Sequence, residues 1–296
     1  MSKISIVFFG SGPVAAKSLF KLQSSFVIEA IITKPSTERE MSQVVPNTPV
    51  FSASNRSSLD QLFIDHKFTS EVAILIDFGI IVSNSIIKSF QKGIINSHFS
   101  ILPELRGADP ITFAILSGQK TTGVSVMQLV EAMDEGDLLG YKELAITQDE
   151  TEPTLTDKLI DLSDTLLKKL VPDYLSGVLA PQPQSLTGRE ISYSRKLTKK
   201  DGVLDFTKSA MQLEREIRAF TSWPKSHTDI ASKDVVVLKA NVDESTKSTP
   251  GAVSETDDKM ISIGTTNGTL IIEELKPAGK PAMTSSAFLA GNRSKL

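Results

Sequence analysis

The chain has no cysteine, one tryptophan, three tyrosines and three histidines in 296 residues. Without cysteine there can be no disulfide, no thiolate metal site and no cysteine nucleophile. The histidines, His66, His98 and His227, are far apart and lack metal-ligand spacing, so no metal centre is expected. No apolar run approaches the roughly 18–20 residues of a membrane span. The first nine residues lack the length and cleavage pattern of a signal peptide, which points to the cytoplasm. Positive charge is also in deficit. Lys and Arg total 32 against 35 Asp and Glu, a formal net charge of −3, so any nucleic-acid contact has to rest on a local patch. What remains is ordinary globular composition, 40% hydrophobic and 23% charged, over a length suited to one large domain or two smaller ones.

The first half alternates β-branched runs with helical patterns, the signature of a mostly parallel, Rossmann-like sheet covered by helices. Strands are expected at 4–9, 27–33, 72–76, 94–98 and 124–129, with a return near 141–146. Helices are expected after Pro13, from Pro110, and after Pro153, where Leu155, Leu159, Leu162, Leu166 and Leu170 form one apolar stripe. A Pro/Gln stretch beginning at Ala180 reads as an interdomain linker. Beyond it, Ala210, Leu213, Ile217 and Phe220 line a helix. Short strands at 235–238, 260–263 and 269–273 and a turn at Asn267-Gly268 fit a small β-barrel. The expected division is therefore an α/β domain at 1–180, a linker at 181–200 and a β-barrel domain at 201–296.

Two segments carry chemistry. Gly10-Ser11-Gly12-Pro13 half-matches a dinucleotide-binding loop, but Pro13 removes an N–H donor and the second strand ends Ile32-Thr33-Lys34, without a ribose-binding carboxylate. A tight strand-to-helix turn accounts for the same glycines. The second segment is Ile94–His98. In a strand, Asn96 and His98 share a face, separated by roughly 6–7 Å, at the edge where open parallel sheets place ligands. A further buried strand running into Met133-Asp134-Glu135-Gly136-Asp137 brings a carboxylate to that edge. Ser97 faces the other way, so the set has no nucleophile. It suits direct attack of a substrate amine on a carbonyl, with Asn96 and His98 holding the oxyanion and Asp134 orienting the imidazole.

Asn96-x-His98 followed by Ser100-Ile101-Leu102-Pro103, Arg106-Gly107-Ala108-Asp109-Pro110, Thr122-Gly123-Val124 and Asp134-x-Gly136-Asp137 resembles the formyltransferases that use 10-formyltetrahydrofolate. The resemblance implies a Rossmann-like formyltransferase fold, a catalytic set matching Asn96, His98 and Asp134, and a folate site lined by the residues matching Ser100, Ile101, Leu102 and Pro103. Among the family's branches, Tyr193–Leu197, Leu213–Phe220, Trp223-Pro224 and Leu275–Met283 resemble the one acting on methionyl-tRNA. That implies an OB-like C-terminal barrel contacting initiator methionyl-tRNA, a monomer, and a role in translation initiation. The sole tryptophan, Trp223, is expected to be a core anchor.

Residues 189–225 hold nine cations and five anions, a local +4 against −7 in the rest of the chain, and so offer a basic patch for a phosphate backbone. Three positions depart from the family. The long basic loop that usually follows the second strand is replaced by 34–49, with only Lys34 and Arg39 as cations, and no loop residue is carried over. Phe99 stands where glycine is common, and Asp109 where a small residue is common. Other readings remain: a formyltransferase for a nucleotide-linked amino sugar, a nicotinamide-dependent oxidoreductase using 10–15, or a non-catalytic RNA-binding module.

Overall fold

The computed structural model describes residues 3–295. Its helices and strands run in the order β1 (Ile4–Phe9), α1 (Pro13–Leu22), β2 (Phe26–Thr33), α2 (Glu38–Val44), β3 (Val50–Ser52), α3 (Arg56–Asp65), β4 (Val72–Leu75), α4 (Asn84–Ser89), β5 (Ile94–His98), β6 (Arg106–Gly107), α5 (Pro110–Leu116), β7 (Thr121–Gln128), β8 (Leu138–Ala145), α6 (Glu152–Leu175), β9 (Tyr193–Ser194), α7 (Ala210–Ala219), β10 (His227–Ile230), β11 (Lys233–Asp243), β12 (Val253–Glu255), β13 (Ile261–Gly264), β14 (Thr269–Pro277), β15 (Met283–Thr284) and α8 (Ser285–Ala290). Two compact units divide the chain. One holds Met1–Pro110, Thr121–Ala145 and Thr156–Ser194, the other Ile111–Lys120, Ile146–Leu155 and Arg195–Leu296.

The first unit is built on a seven-stranded sheet in the order β3-β2-β1-β4-β5-β7-β8. Strands β3, β2, β1, β4 and β5 pair in parallel, whereas β7 runs antiparallel to β5 and β8 antiparallel to β7. The order reverses direction at β1, so β1, β4 and β5 share the carboxyl edge where such sheets bind ligands. Their near-continuous apolar runs are explained by burial on both faces: Ile6 to Phe9 and Val72 to Ile74 are fully buried. Under that edge Phe9 packs against Phe63, Phe78 and Phe90 at centroid distances of 5.8, 5.6 and 6.2 Å. Such aromatic pairs each add about 0.5–1.5 kcal/mol beyond their buried area. Helix α6 buries Leu155, Leu159 and Leu170 of the expected stripe and leaves Leu162 and Leu166 half-buried at its margin, while Ile160, Ser163, Leu167 and Val171 widen the inward face. The Ser163 hydroxyl meets that of Ser97 at 2.6 Å, tying the helix to the back of β5.

The second unit is a curled antiparallel sheet, half of a barrel, in the order β10-β11-β14-β13-β12 with β15 also on β14. Helix α7, capped by the Ser209 hydroxyl accepting from Gln212 N, turns Leu213 and Ile217 into this unit's core beside Val235, Leu270 and Ile272. The turn at Asn267-Gly268 is present, with Gly268 at φ +77°. Residues 111–120 join this unit through Gln212 Nε2, which donates to the Leu116 carbonyl at 3.2 Å. Residues 146–155 join it through Arg218 Nη1, which donates to the Glu150 carbonyl at 2.9 Å. Trp223 is not a core anchor: it is 45% exposed. The turn after α7, closed by Lys225 N donating to the Phe220 carbonyl, sends Phe220 inward and leaves Trp223 outside. Among the described residues, no helix is long and apolar enough to cross a membrane.

Candidate active site

Strand β5 carries the site because it is the last parallel strand, between β4 and antiparallel β7. Asn96 lies opposite Leu75 and Met127, and His98 opposite Ser125. Both polar side chains are buried, at 6% and 7% exposure. Burial at that level is costly unless the groups are bonded. The bonds are made by the loops at the strand ends. His98 Nε2 lies 2.9 Å from the Leu105 carbonyl oxygen. A carbonyl only accepts, so Nε2 carries the proton and the neutral ring presents Nδ1 as its lone-pair nitrogen.

Asp134 arrives on the loop between β7 and β8. Its Oδ1 accepts from Asn96 Nδ2 at 3.4 Å and stands 3.8 Å from His98 Nδ1. Its Oδ2 accepts the Gly107 N–H at 2.7 Å. The structure thus brings Asn96, His98 and Asp134 together. The separation of 3.8 Å exceeds a hydrogen bond, so the ring is oriented by Leu105 and Asp134 acts on Nδ1 through charge. Asp134 itself has φ +51°, a conformation that Asp tolerates better than most residues. Two positions on, a Cβ on Gly136 would stand 1.7 Å from the Gln128 carbonyl oxygen, which makes glycine obligatory there. Asp137 turns its side chain outward and does not join the set.

Ser100, Ile101, Leu102 and Pro103 follow β5 directly and are all buried. The Ser125 hydroxyl donates to the Ser100 carbonyl at 2.8 Å and accepts Leu102 N at 3.0 Å. The Ser100 hydroxyl donates to the Glu104 carbonyl at 2.5 Å. The segment is therefore a rigid rim of the site, whose polar side chains are already spent on its own backbone. Phe99 is buried at 6% exposure and fills core. At the other end of the edge, Gly10 and Gly12 form the turn into α1. A Cβ on Gly10 would meet Ala15 Cβ at 2.6 Å and the Ile76 carbonyl at 2.8 Å, and Gly12 has φ +95°. Strand-to-helix packing accounts for both glycines.

One acidic group at this edge escaped sequence reasoning. Asp77 lies two residues beyond Leu75, the partner of Asn96. The signal was available, a carboxylate directly after a fully buried strand. Its side chain reaches solvent, yet protein surrounds it on most sides. That desolvation, helped by the charge of Asp109, pushes the carboxyl up to about 6, while Lys34 pulls it down. A raised native pKa means that the folded chain keeps a proton the unfolded chain releases, so stability falls as pH rises from about 4 through about 6. Asp77→Asn should therefore melt with wild type at pH 4 and above it at pH 8, by on the order of 2 °C. Thermal melts across that range check this, and equal melting temperatures at pH 8 would refute it.

An amide donor, an imidazole and a carboxylate at a carboxyl edge, with no nucleophile among them, have the makings of an acyl-transfer site for an external amine. Residues 3–171 match the family model described as formyl transferase, and residues 196–293 match that of the formyl transferase C-terminal domain. The chain belongs to the formyl transferase family. It is a formyl-transferring enzyme. It is 33% identical to a methionyl-tRNA formyltransferase of Myxococcus xanthus, over 99% of this chain and 96% of that protein. It is 30% identical to one of Listeria monocytogenes, over 97% and 95%. The structure of WlaRD, a sugar 3N-formyl transferase solved in the presence of dTDP and 5-N-formyl-THF, superposes with a TM-score of 0.69 at 18% identity, over 95% of this chain and 100% of that one. At that identity the likeness is one of fold.

Proposed function

We propose that this formyl transferase moves the formyl group of 10-formyltetrahydrofolate onto the α-amine of methionyl-initiator tRNA in the cytoplasm, as a monomer. The observation that carries this reading is the similarity to methionyl-tRNA formyltransferases along both halves of the chain, including the second domain. In the proposed reaction the neutral amine attacks the formyl carbon and a C–N bond forms. The carbonyl oxygen becomes an oxyanion, held by the Asn96 amide and by His98 when Nδ1 is protonated. The bond from that carbon to N10 then breaks. The proton lost by the amine passes through the His98–Asp134 pair to N10, so the products are formylmethionyl-tRNA and tetrahydrofolate, and the enzyme returns unchanged. Ser100, Ile101, Leu102 and Pro103 would shape the folate subsite through their fixed backbone. Residues 1–180 would carry the chemistry, 181–200 the link, and 201–296 the tRNA contact.

Four of the nine cations in 189–225 are already paired. Arg189 bonds Glu104 and Glu143, Arg195 bonds Asp201, Lys208 bonds Glu216, and Arg218 bonds Glu214. The tRNA footprint is therefore expected to be modest. Contact with about four phosphates implies an affinity loss on the order of 10²-fold between about 50 and about 200 mM salt. Single-turnover formylation of methionyl-initiator tRNA, methionyl-elongator tRNA and a nucleotide-linked amino sugar, each at two salt concentrations, tests the reading. Formylated initiator tRNA with that salt response supports it. Formylation of the sugar alone, indifferent to salt, overturns it.

A further inference from the structure

We infer that Gln184, in the segment expected to be a plain linker, is a positioning residue for the catalytic loop. Its side chain is buried. Nε2 donates to the Asp134 carbonyl at 2.7 Å and to the Gly136 carbonyl at 2.9 Å. Oε1 accepts from Arg106 Nε at 3.2 Å and from Nη2 at 2.8 Å. Both donors and both lone pairs of one amide are thus used, and the pattern admits one orientation only. A flipped amide would set its oxygen against two carbonyls and its NH2 against a guanidinium.

The two groups it joins are the two walls of the site. Asp134 to Gly136 is the loop bearing the carboxylate. Arg106 precedes Gly107, whose N–H holds Asp134 Oδ2, and follows Leu105, whose carbonyl holds His98 Nε2. Arg106 Nη1 returns to Glu135 Oε1 at 3.0 Å and closes the ring of bonds. The segment around Gln184 is itself pinned. Gln182 and Leu138 exchange backbone bonds of 2.7 and 2.8 Å, and β9 pairs with β6. The loop needs such a clamp, because Asp134 sits in a left-handed conformation and Gly136 lies hard against Gln128. A displacement of the order of 1 Å at the carboxylate can cost about 10²-fold in rate.

The inference rests on the proposed roles of His98 and Asp134, and its test separates the two. Gln184→Glu keeps the volume and the acceptor for Arg106 but removes the N–H donors and sets negative charge against two carbonyls. Gln184→Met is an uncharged companion of similar size. We expect Gln184→Glu to lower kcat for formyl transfer by about 10- to 100-fold, with KM for methionyl-tRNA within about twofold. With only three histidines in the chain, the ring 15N resonances of His98 report the site without substrate. They should be displaced in both variants while those of His66 and His227 stay in place. A displaced His98 resonance with unchanged kcat would sustain the positioning role and refute the catalytic role given to His98. Unmoved His98 resonances in either folded variant, whatever the change in melting temperature, would overturn the inference.

Discussion

Replacing His98 with Ala should lower single-turnover formyl transfer by a factor on the order of 10² or more, the combined loss of oxyanion stabilisation and proton handling. The geometry specifies why the imidazole is hard to replace. Nε2 is committed to the Leu105 carbonyl at 2.9 Å, which leaves Nδ1 as the only ring nitrogen free to exchange a proton, and that nitrogen faces Asp134. An alanine removes the exchanging nitrogen and leaves the Leu105 carbonyl with only the longer bond from the Ser194 hydroxyl, at 3.3 Å. Loss of one such buried hydrogen bond costs about 0.5–1.5 kcal/mol of stability. The rate comparison therefore has to be made well below the melting temperature and normalised to folded protein. His98→Gln separates the two effects, because an amide can satisfy Leu105 but cannot relay a proton near neutral pH. It should recover melting temperature and not rate. Near-normal turnover in either variant would remove His98 from the chemistry.

Much of the scaffold behind this prediction was readable in the sequence. Strands β1 and β5 fall at the expected residues because each is a short run, buried along most of its length and opening on isoleucine, that meets a glycine at one end, Gly10 after β1 and Gly93 before β5. From the length of β5 alone, Asn96 and His98 had to share a face at its carboxyl end, with Ser97 on the other. The Ser97–Ser163 contact agrees. Periodicity does not reach the three-residue β3, the two-residue β6 and β9, or α3, which buries only Leu59 and Leu62 and turns Phe63 partly inward. The capping box of α3, Asn55 with Ser58, was the available signal for that helix. Charge counting along residues 189–225 missed one contact between distant parts of the sequence. Its +4 already subtracts Asp201, Glu214 and Glu216, the partners of Arg195, Arg218 and Lys208, whereas Arg189 is neutralised from outside the window by Glu104 and Glu143.

The site divides along the same line. Residue types showed which chemistry was present, but not what held it in place. The groups that fix His98 and Asp134 are the Leu105 carbonyl and the Gly107 N–H, and backbone groups have no residue-type signature. Gln184 was hidden by its company, since a Pro/Gln stretch has the composition of a linker whether or not one of its glutamines is buried. Only the close approach of Gly136 to Gln128 shows how little freedom the acidic loop has.

That constraint makes Asp134→Asn the sharpest test of charge at the site. Asn at position 134 keeps an oxygen for the Gly107 N–H, and Asn, like Asp, tolerates the left-handed conformation at φ +51°. Fold and loop geometry should therefore persist, with a melting temperature close to that of wild type. What disappears is the negative charge 3.8 Å from His98 Nδ1, together with the acceptor of the long 3.4 Å bond from Asn96 Nδ2. At that distance a unit charge stabilises a protonated ring by about 4 kcal/mol at an effective dielectric of 20, a ceiling that relaxation and residual solvent reduce. Half of that figure corresponds to about a 30-fold change in rate. Loss of proton relay adds to it, so the expected fall in kcat is on the order of 10²- to 10³-fold. Because the loss is confined to charged states along the reaction, KM for 10-formyltetrahydrofolate should change little and kcat should carry the effect. Single-turnover rates at saturating donor measure it directly. If Asp134→Asn retained more than about a third of the rate while melting normally, Asp134 would be an anchor for Gly107 and Asn96 and nothing more, and the proton would need another route.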